Sequence, residues 1–346
     1  MSAPATDIRA LREAFYRRIA PSNLKPLWEV LDVLVPEHPQ PKCQPVQWKF
    51  KDLRAPLLEA GQLISAKEAT RRVLMLENPA FPNEARITNS LYAGVQLLNP
   101  GEVAPAHRHT QSALRFILEG RKAFTSVDGE RAWMEPGDLI LTPSWTWHDH
   151  GSESSEPMIW LDGLDIPIMQ LLDAGFCENY PSDQQPSVRS EGDAQARYGA
   201  NMLPADYQPK SQTSPVFHYP YKRTREALEL MSKSSNLDAY QGVRMKYINP
   251  ATGGHAMPTI ATFMQLLPTG FNGKPIRATD ATVYVCVEGA GKTFVGDQQF
   301  DWGPNDIFVA PSWAPVRHIA DRDSYLFSYS DRVVQEKLGL WRERRE

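Results

Sequence analysis

Gly101-Glu102-Val103-Ala104-Pro105-Ala106-His107-Arg108-His109 opens the stretch that decides the fold, and Pro143-Ser144-Trp145-Thr146-Trp147-His148-Asp149-His150-Gly151 closes it. His107 and His109 are two residues apart in a segment of β character, so their side chains leave the same face. His148 follows after one hairpin's length of chain. Three imidazoles converging from separate strands make a metal site with no helix involved. An isolated His-x-His on a strand is more often a polar face than a ligand pair. The frame around this one, Gly-x5-His-x-His and then Gly-x5-Pro-x4-His, argues for ligands.

That frame resembles the two cupin motifs, and the resemblance implies a small jelly-roll barrel. Cupins usually carry a glutamate shortly after the second histidine. Here Ala113 stands at the matching position, seven residues before Gly120, so the set reads as three neutral histidines.

An internal repeat extends the reading to the rest of the chain. Gln96, Leu97-Leu98, Gly101 and Glu119-Gly120 recur 169 residues on as Gln265, Leu266-Leu267, Gly270 and Glu288-Gly289. Pro143-Ser144-Trp145 recurs 168 residues on as Pro311-Ser312-Trp313. The expectation is a mainly β protein, a bicupin of two jelly-roll barrels. At the same offsets His107, His109 and His148 become Ile276, Ala278 and Val316, and Arg115 becomes Tyr284. Only His150 keeps a counterpart, His318. The second copy therefore reads as structural, and one metal per chain is expected, in the first.

The remaining chain fits that frame. Apolar residues at three- to four-residue spacing predict helix over 5–34, interrupted at Pro21. A loop and short helix are expected over 48–59, ended by Gly61. The segment 179–221, rich in Ser, Gln, Pro and Asp, reads as an extended connector, and 223–232 as a short helix. Val334, Leu338 and Trp341 predict a C-terminal helix over 333–346. The domain scheme is 1–60 helical segment, 61–178 metal-binding cupin, 179–235 connector, 236–332 second cupin and 333–346 helix.

The chain has 346 residues, 42% hydrophobic and 23% charged, with a net charge of −4 and both signs intermixed. That balance argues against nucleic acid or an anionic membrane surface as partner. The sequence shows no long apolar run and no leader of the secretory type, and Cys43, Cys177 and Cys286 are odd in number and widely spaced. A reducing cytoplasm is expected, with each cysteine a small, partly buried side chain. The 29 prolines fall between short apolar runs, which suits strands and turns.

A tighter resemblance rests on Pro105 to Phe116, Thr142 to Gly151 and the run Trp160-Leu161-Asp162-Gly163-Leu164-Asp165-Ile166-Pro167. Pro26 to Leu31 and Arg71 to Leu74 share it. These stretches closely resemble gentisate 1,2-dioxygenases, within a superfamily that includes salicylate and 1-hydroxy-2-naphthoate ring-cleaving enzymes. The resemblance implies Fe(II)-dependent cleavage of gentisate (2,5-dihydroxybenzoate) by O2 to maleylpyruvate, in aromatic compound catabolism, by a homotetramer. It implies His107, His109 and His148 as the metal ligands, with an aromatic acid and O2 as the reactants.

Charge and geometry add candidates. Three neutral ligands on one face of an octahedral metal leave three positions open and keep the metal's positive charge, which favours an anionic chelator. Arg115 and Arg71 are candidates for the substrate carboxylate, since a guanidinium fork matches it; a surface salt bridge is the alternative for each. Tyr92, Gly94 and Gln96 alternate and share one face, with Tyr92 a candidate for a ring hydroxyl or a core aromatic. His150 and Gln96 are candidates for proton handling and substrate contact, yet their recurrence as His318 and Gln265 would equally follow from packing. The same ring cleavage on salicylate or 1-hydroxy-2-naphthoate, and a non-catalytic bicupin that binds an aromatic acid, are the competing readings.

Overall fold

The computed structural model describes residues 7–234 and 236–346; residues 5 and 6 of the predicted helix and Ser235 of the connector lie outside them. The chain divides into two units, Met1–Gln40 and Pro41–Glu346. The first carries helices α1 (Ile8–Ile19) and α2 (Leu31–Leu34) with single 3-10 turns between them. Asp7 caps α1 by accepting from the Arg9 and Ala10 amides. Trp28 Nε1 donates to Tyr16 Oη at 2.8 Å, and Tyr16 bonds Glu29. The described part of this unit buries no side chain.

The second unit opens with β1 (Val46–Trp48), α3 (Phe50–Leu63) and α4 (Ala66–Ala69). The first barrel follows: β2 (Val73–Met75), β3 (Tyr92–Leu98), β4 (Val103–His109), β5 (Ala113–Glu119), β6 (Ala123–Val127), β7 (Glu130–Met134), β8 (Leu139–Thr142), β9 (His148–Ser152) and β10 (Met158–Leu164). Then come α5 (Ile166–Leu171), β11 (Cys177–Asn179), α6 (Asp193–Tyr198), β12 (His218–Tyr219) and α7 (Tyr221–Ser234). The second barrel comprises β13 (Val243–Lys246), β14 (Ala261–Leu267), β15 (Ile276–Ala278), β16 (Thr282–Glu288), β17 (Gly291–Val295), β18 (Gln298–Trp302), β19 (Ile307–Ala310), β20 (Val316–Ala320) and β21 (Ser324–Ser330), then α8 (Arg332–Lys337) and β22 (Glu343–Arg345).

Among the described residues the strands form four antiparallel sheets, two per barrel. The first barrel has the orders β12-β8-β5-β10-β3-β2 and β11-β4-β9-β6-β7; the second has β1-β19-β16-β21-β14-β13 and β18-β17-β20-β15-β22. The two barrels expected from the repeat are therefore present, each built of two sheets.

The repeat reaches further than its sequence anchors. β1, from before the first barrel, pairs with β19 of the second, while β12, from before the second, pairs with β8 of the first. The helix after each strand, α3 or α7, has 14 residues and starts on an aspartate of the barrel its strand joins. Asp306 Oδ1 accepts from the Phe50 amide at 2.9 Å, and Asp138 Oδ1 from the Tyr221 amide at 2.8 Å. These carboxylates satisfy helix donors that have no partner within the helix. A second reciprocal lock joins the halves: Ser112 N donates to Asp165 Oδ1 at 3.0 Å and Thr259 Oγ1 bonds Oδ2, while Ala281 N donates to Asp331 Oδ1 at 3.1 Å and Ser90 Oγ to Oδ2 at 2.7 Å. Between the barrels Phe116 and Phe327 stack with centroids 4.0 Å apart within a core shared by both barrels, while Tyr284, Phe308 and Leu326 belong to a separate cluster of the second barrel.

Several local expectations need correction. α3 does not stop at Gly61 but runs through it to Leu63. A Cβ at Gly61 would lie 2.8 Å from Leu97 Cδ2, so the glycine is what lets the helix close on β3. The C-terminal helix covers only Arg332–Lys337; Gly339, at φ +72°, turns the chain and β22 pairs with β15. Val333, not the Val334 and Leu338 face, is the buried residue, against Ala261 and Phe263. Cys43 and Cys286 are buried, but Cys177 is exposed on β11.

Candidate metal centre

β4 and β9 bring the three histidines together. His107 pairs in register with His148, and a bulge between Ala104 and His107 re-aims the end of β4. The ligand nitrogens of His107, His109 and His148 lie within 4.8 Å of one another. Backbone carbonyls fix each ring: His109 Nδ1 lies 2.9 Å from Gln111 O, His148 Nδ1 3.0 Å from Thr146 O and His107 Nδ1 3.3 Å from Pro105 O. For His109 and His148, Nδ1–H donating to a carbonyl leaves the Nε2 lone pair free as ligand, while His107 Nδ1 is shared between Pro105 O and the Arg71 guanidinium. His148 Nε2 is buried without a hydrogen-bond partner, which costs free energy unless something binds it. Burial, then the neighbouring cations, push His107 down to about 3; burial dominates for His109, at about 4, and for His148, which falls well below the usual range. All three are neutral at pH 7, the form a metal requires.

The charge beside them is cationic. Arg115, 3% exposed on β5, donates from Nη1 to Thr142 Oγ1 at 2.6 Å. Its Nε lies 3.3 Å from Asp162 Oδ1, but both atoms remain without a hydrogen bond, so the pair is ionic and poorly aligned. Arg71 donates from Nη2 to Pro105 O at 2.9 Å and contacts His107 Nδ1. Arg72, its neighbour, faces the other way and pairs with Glu102. Burial and the adjacent Arg115 push Arg71 down to about 9, which still leaves it charged at pH 7. Burial raises Asp162 to about 6, against the pull of Arg115 and the Trp160 indole. Two guanidinium groups thus lie beside one buried carboxylate, and the surplus positive charge suits an anion.

Gly94, Asp162 and Arg115 lie in one row across β3, β10 and β5. A Cβ at Gly94 would come 2.5 Å from Tyr92 Oη and 2.4 Å from Val73 Cγ1, so the Tyr92 hydroxyl sits over the glycine. Gln96, 1% exposed, pairs with Trp160 on β10. His150 is fully buried, with Nδ1 2.9 Å from Thr125 Oγ1, its ring 5.5 Å from Trp160, and Nε2 unpartnered. Its counterpart His318 repeats the bond, with Nδ1 2.7 Å from Thr293 Oγ1. Tyr329, from the second barrel, donates to Tyr92 O at 3.2 Å. Sequence reasoning did not select Asp162, Thr142 or Thr125. Asp162 lay within the quoted run from Trp160, but only the strand register puts it opposite Arg115.

Fold and site together define a two-barrel cupin with a three-histidine metal-binding group. Residues 94–164 match the cupin domain family. The chain is 55% identical to gentisate 1,2 dioxygenase 1 of Aquipseudomonas alcaligenes, over 96% of each chain. It is 34% identical to 1-hydroxy-2-naphthoate 1,2-dioxygenase of Nocardioides sp., covering 99% of this chain and 90% of that one. The crystal structure of salicylate 1,2-dioxygenase from Pseudoaminobacter salicylatoxidans with gentisate superposes with a TM-score of 0.91 at 32% identity, covering 100% of this chain and 96% of that one. The chain belongs to the gentisate 1,2-dioxygenase family of ring-cleaving cupins.

Proposed function

We propose that this protein opens the ring of gentisate with O2, using Fe(II) held by His107, His109 and His148, to give maleylpyruvate. The observation that carries this reading is three free imidazole nitrogens beside the Arg71 and Arg115 guanidinium groups. Iron, when bound, supplies a redox path from the electron-rich ring to O2, which zinc lacks. Arg115 and Arg71 hold the substrate carboxylate, since their charge exceeds what Asp162 neutralises. Asp162 keeps the Arg115 fork turned toward the substrate. Thr125 occupies His150 Nδ1, so Nε2 is the nitrogen left to exchange a proton with a substrate hydroxyl. Tyr92 Oη, with Gln96 on the same strand face, supports recognition of the 5-hydroxyl, and Gly94 leaves room for that phenol.

Gentisate is favoured over salicylate on chemical grounds. Its 5-hydroxyl, para to the 2-hydroxyl, donates density to the ring, and a buried polar group left without that partner discriminates strongly. A homotetramer in the cytoplasm completes the reading. Association is supported by the exposed apolar side chains of the N-terminal unit, such as Trp28 at 63% and Val33 at 77%. Among the described residues no helix is long and apolar enough to cross a membrane. The test is oxygen uptake by one anaerobically iron-loaded preparation given gentisate, salicylate and 1-hydroxy-2-naphthoate. Faster turnover of gentisate is expected, with one O2 consumed per ring. Comparable kcat/KM for salicylate would defeat the substrate assignment, and no uptake with any acid would leave a non-catalytic binding protein.

A further inference from the structure

The reciprocal lock between the barrels is alike at both ends, but only one end leads to a metal ligand. Asp165 and Asp331 each precede a six-residue helix, α5 or α8, and neither side chain caps the helix it heads. Each reaches instead to a backbone amide of its own barrel and to a hydroxyl of the other. Asp165 holds Ser112 N and Thr259 Oγ1, and Asp331 holds Ala281 N and Ser90 Oγ. These partners are equivalent residues, Ser112 with Ala281 and Ser90 with Thr259, at the 169-residue offset of the repeat.

The amide that Asp165 accepts from, at 3.0 Å, belongs to the peptide group joining Gln111 and Ser112. The carbonyl of that same planar group lies 2.9 Å from His109 Nδ1. A carboxylate therefore grips the N–H side of the plane while a ligand imidazole leans on the C=O side. Fixing one side fixes the other, and an N–H bonded to a charged acceptor polarises its carbonyl into a stronger acceptor. Asp165 is wholly buried and Ser112 is 2% exposed, so water does not compete for these bonds. Burial raises the Asp165 carboxyl to about 6, so at pH 7.5 it is ionised and the Thr259 hydroxyl is the donor. Thr259 thereby sets the rotation of the carboxylate: with Oδ2 held by the second barrel, Oδ1 faces Ser112 N. In the second barrel the corresponding peptide joins Asp280 and Ala281, and Ala278 stands in the place of His109. That end of the lock has no imidazole to orient.

We propose that Thr259 of the second barrel is a positioning residue for the metal centre: through Asp165 and the Gln111–Ser112 peptide it aims His109 and raises the metal affinity of the site. This role rests on the reading of His107, His109 and His148 as metal ligands and is independent of which aromatic acid is cleaved. The barrel without ligands thus still acts on the metal, and the other half of the lock supplies an internal control.

Co(II) is the probe, because imidazole ligands bind it and it is stable in air. Its dissociation constant is measured at pH 7.5 by competition with a chelator, and Tm is measured on the metal-free protein. Thr259→Val keeps the shape and removes the hydroxyl. It is expected to weaken Co(II) binding about 3- to 10-fold, less than the ~10–100-fold for losing a ligand's own partner, because Thr259 acts one bond removed. Thr259→Ser should restore the affinity. Ser90→Ala cuts the mirror bond to Asp331, so it should lower Tm comparably and leave Co(II) affinity unchanged. Undiminished affinity in Thr259→Val, no recovery in Thr259→Ser, or equal weakening by Ser90→Ala overturns the proposal, and the lock then serves stability alone. If the unaltered protein binds no Co(II), or His109→Ala binds it as tightly, the three histidines are not a metal centre and the role of Thr259 falls with it. Where Thr259→Val does not fold, Thr259→Ala makes the same cut with a smaller side chain and is read in the same way.

Discussion

Arg115 Nε stands 3.3 Å from Asp162 Oδ1 across β5 and β10, both are buried, and neither atom completes a hydrogen bond. The carboxylate therefore restrains the guanidinium without consuming its donors. Asp162→Asn is expected to lower kcat/KM for gentisate by about 10- to 100-fold, as one charge-assisted contact is worth ~1.5–3 kcal/mol. Iron content should stay at its original level, because Asp162 touches none of the three histidines that form the metal group. Iron loss in this variant would show that Asp162 holds the metal site together instead.

Removing the anchor itself should cost more. Arg115→Ala is expected to lower kcat/KM by ~2–4 kcal/mol with iron retained. Metal analysis and circular dichroism alongside the kinetics separate capture from folding. Unchanged turnover would return Arg115 to a purely structural salt bridge.

Metal stoichiometry checks the asymmetry of the two barrels. Protein purified anaerobically should carry about one iron per chain, and His109→Ala should lose it. Ile276, Ala278 and Val316 occupy the corresponding places in the second barrel and offer no donor. Two equivalents per chain, both needed for activity, would contradict this.

The paired carboxylates Asp165 and Asp331 give a pH signature. Burial raises each to about 6, above the usual carboxylate range. The folded state then binds more protons than the unfolded state between about pH 4 and 6, so these two groups make stability fall as pH rises through that window. Against Asp165→Asn/Asp331→Asn, urea unfolding at pH 4.5 and 7 should show the original protein losing on the order of 1–3 kcal/mol more on the upward step. Parallel pH dependence in the two proteins would mean that the carboxylates are already ionised at pH 4.5.

The sequence announced this architecture through backbone positions. Gly120 and Gly289 share φ +99°, Gly101 and Gly270 share +74° and +76°, and Trp145 and Trp313 share +61° and +62°. Turns that need left-handed residues survive in both copies whether or not the barrel keeps a metal. The Trp145 amide donates to His109 O, and that of Trp313 donates to Ala278 O, each at 2.7 Å, which is why that motif recurs without the histidines. The Thr125–His150 and Thr293–His318 bonds recur in the same way, with or without the metal histidines nearby. What stayed hidden was non-local. Val46–Trp48 is too short to read as a strand until β19 is beside it, and Gly61 looks like a helix stop until Leu97 is known to lie against it. Asp162 acquires meaning only from its register with Arg115.

The exchanged strands bear on how such a protein can change over generations. β12 closes the edge of the metal-binding barrel at β8, yet it is encoded after that barrel; β1 closes the second barrel at β19, yet it is encoded before the first. Deleting the second barrel would leave β1 without its partner β19 and strip α3 of the carboxylate that starts it. Truncation to the metal-binding barrel alone would thus expose β1 and the start of α3, which the second barrel now completes. The second barrel therefore supports the segment that leads into the metal-binding one, even though it contributes no metal ligand.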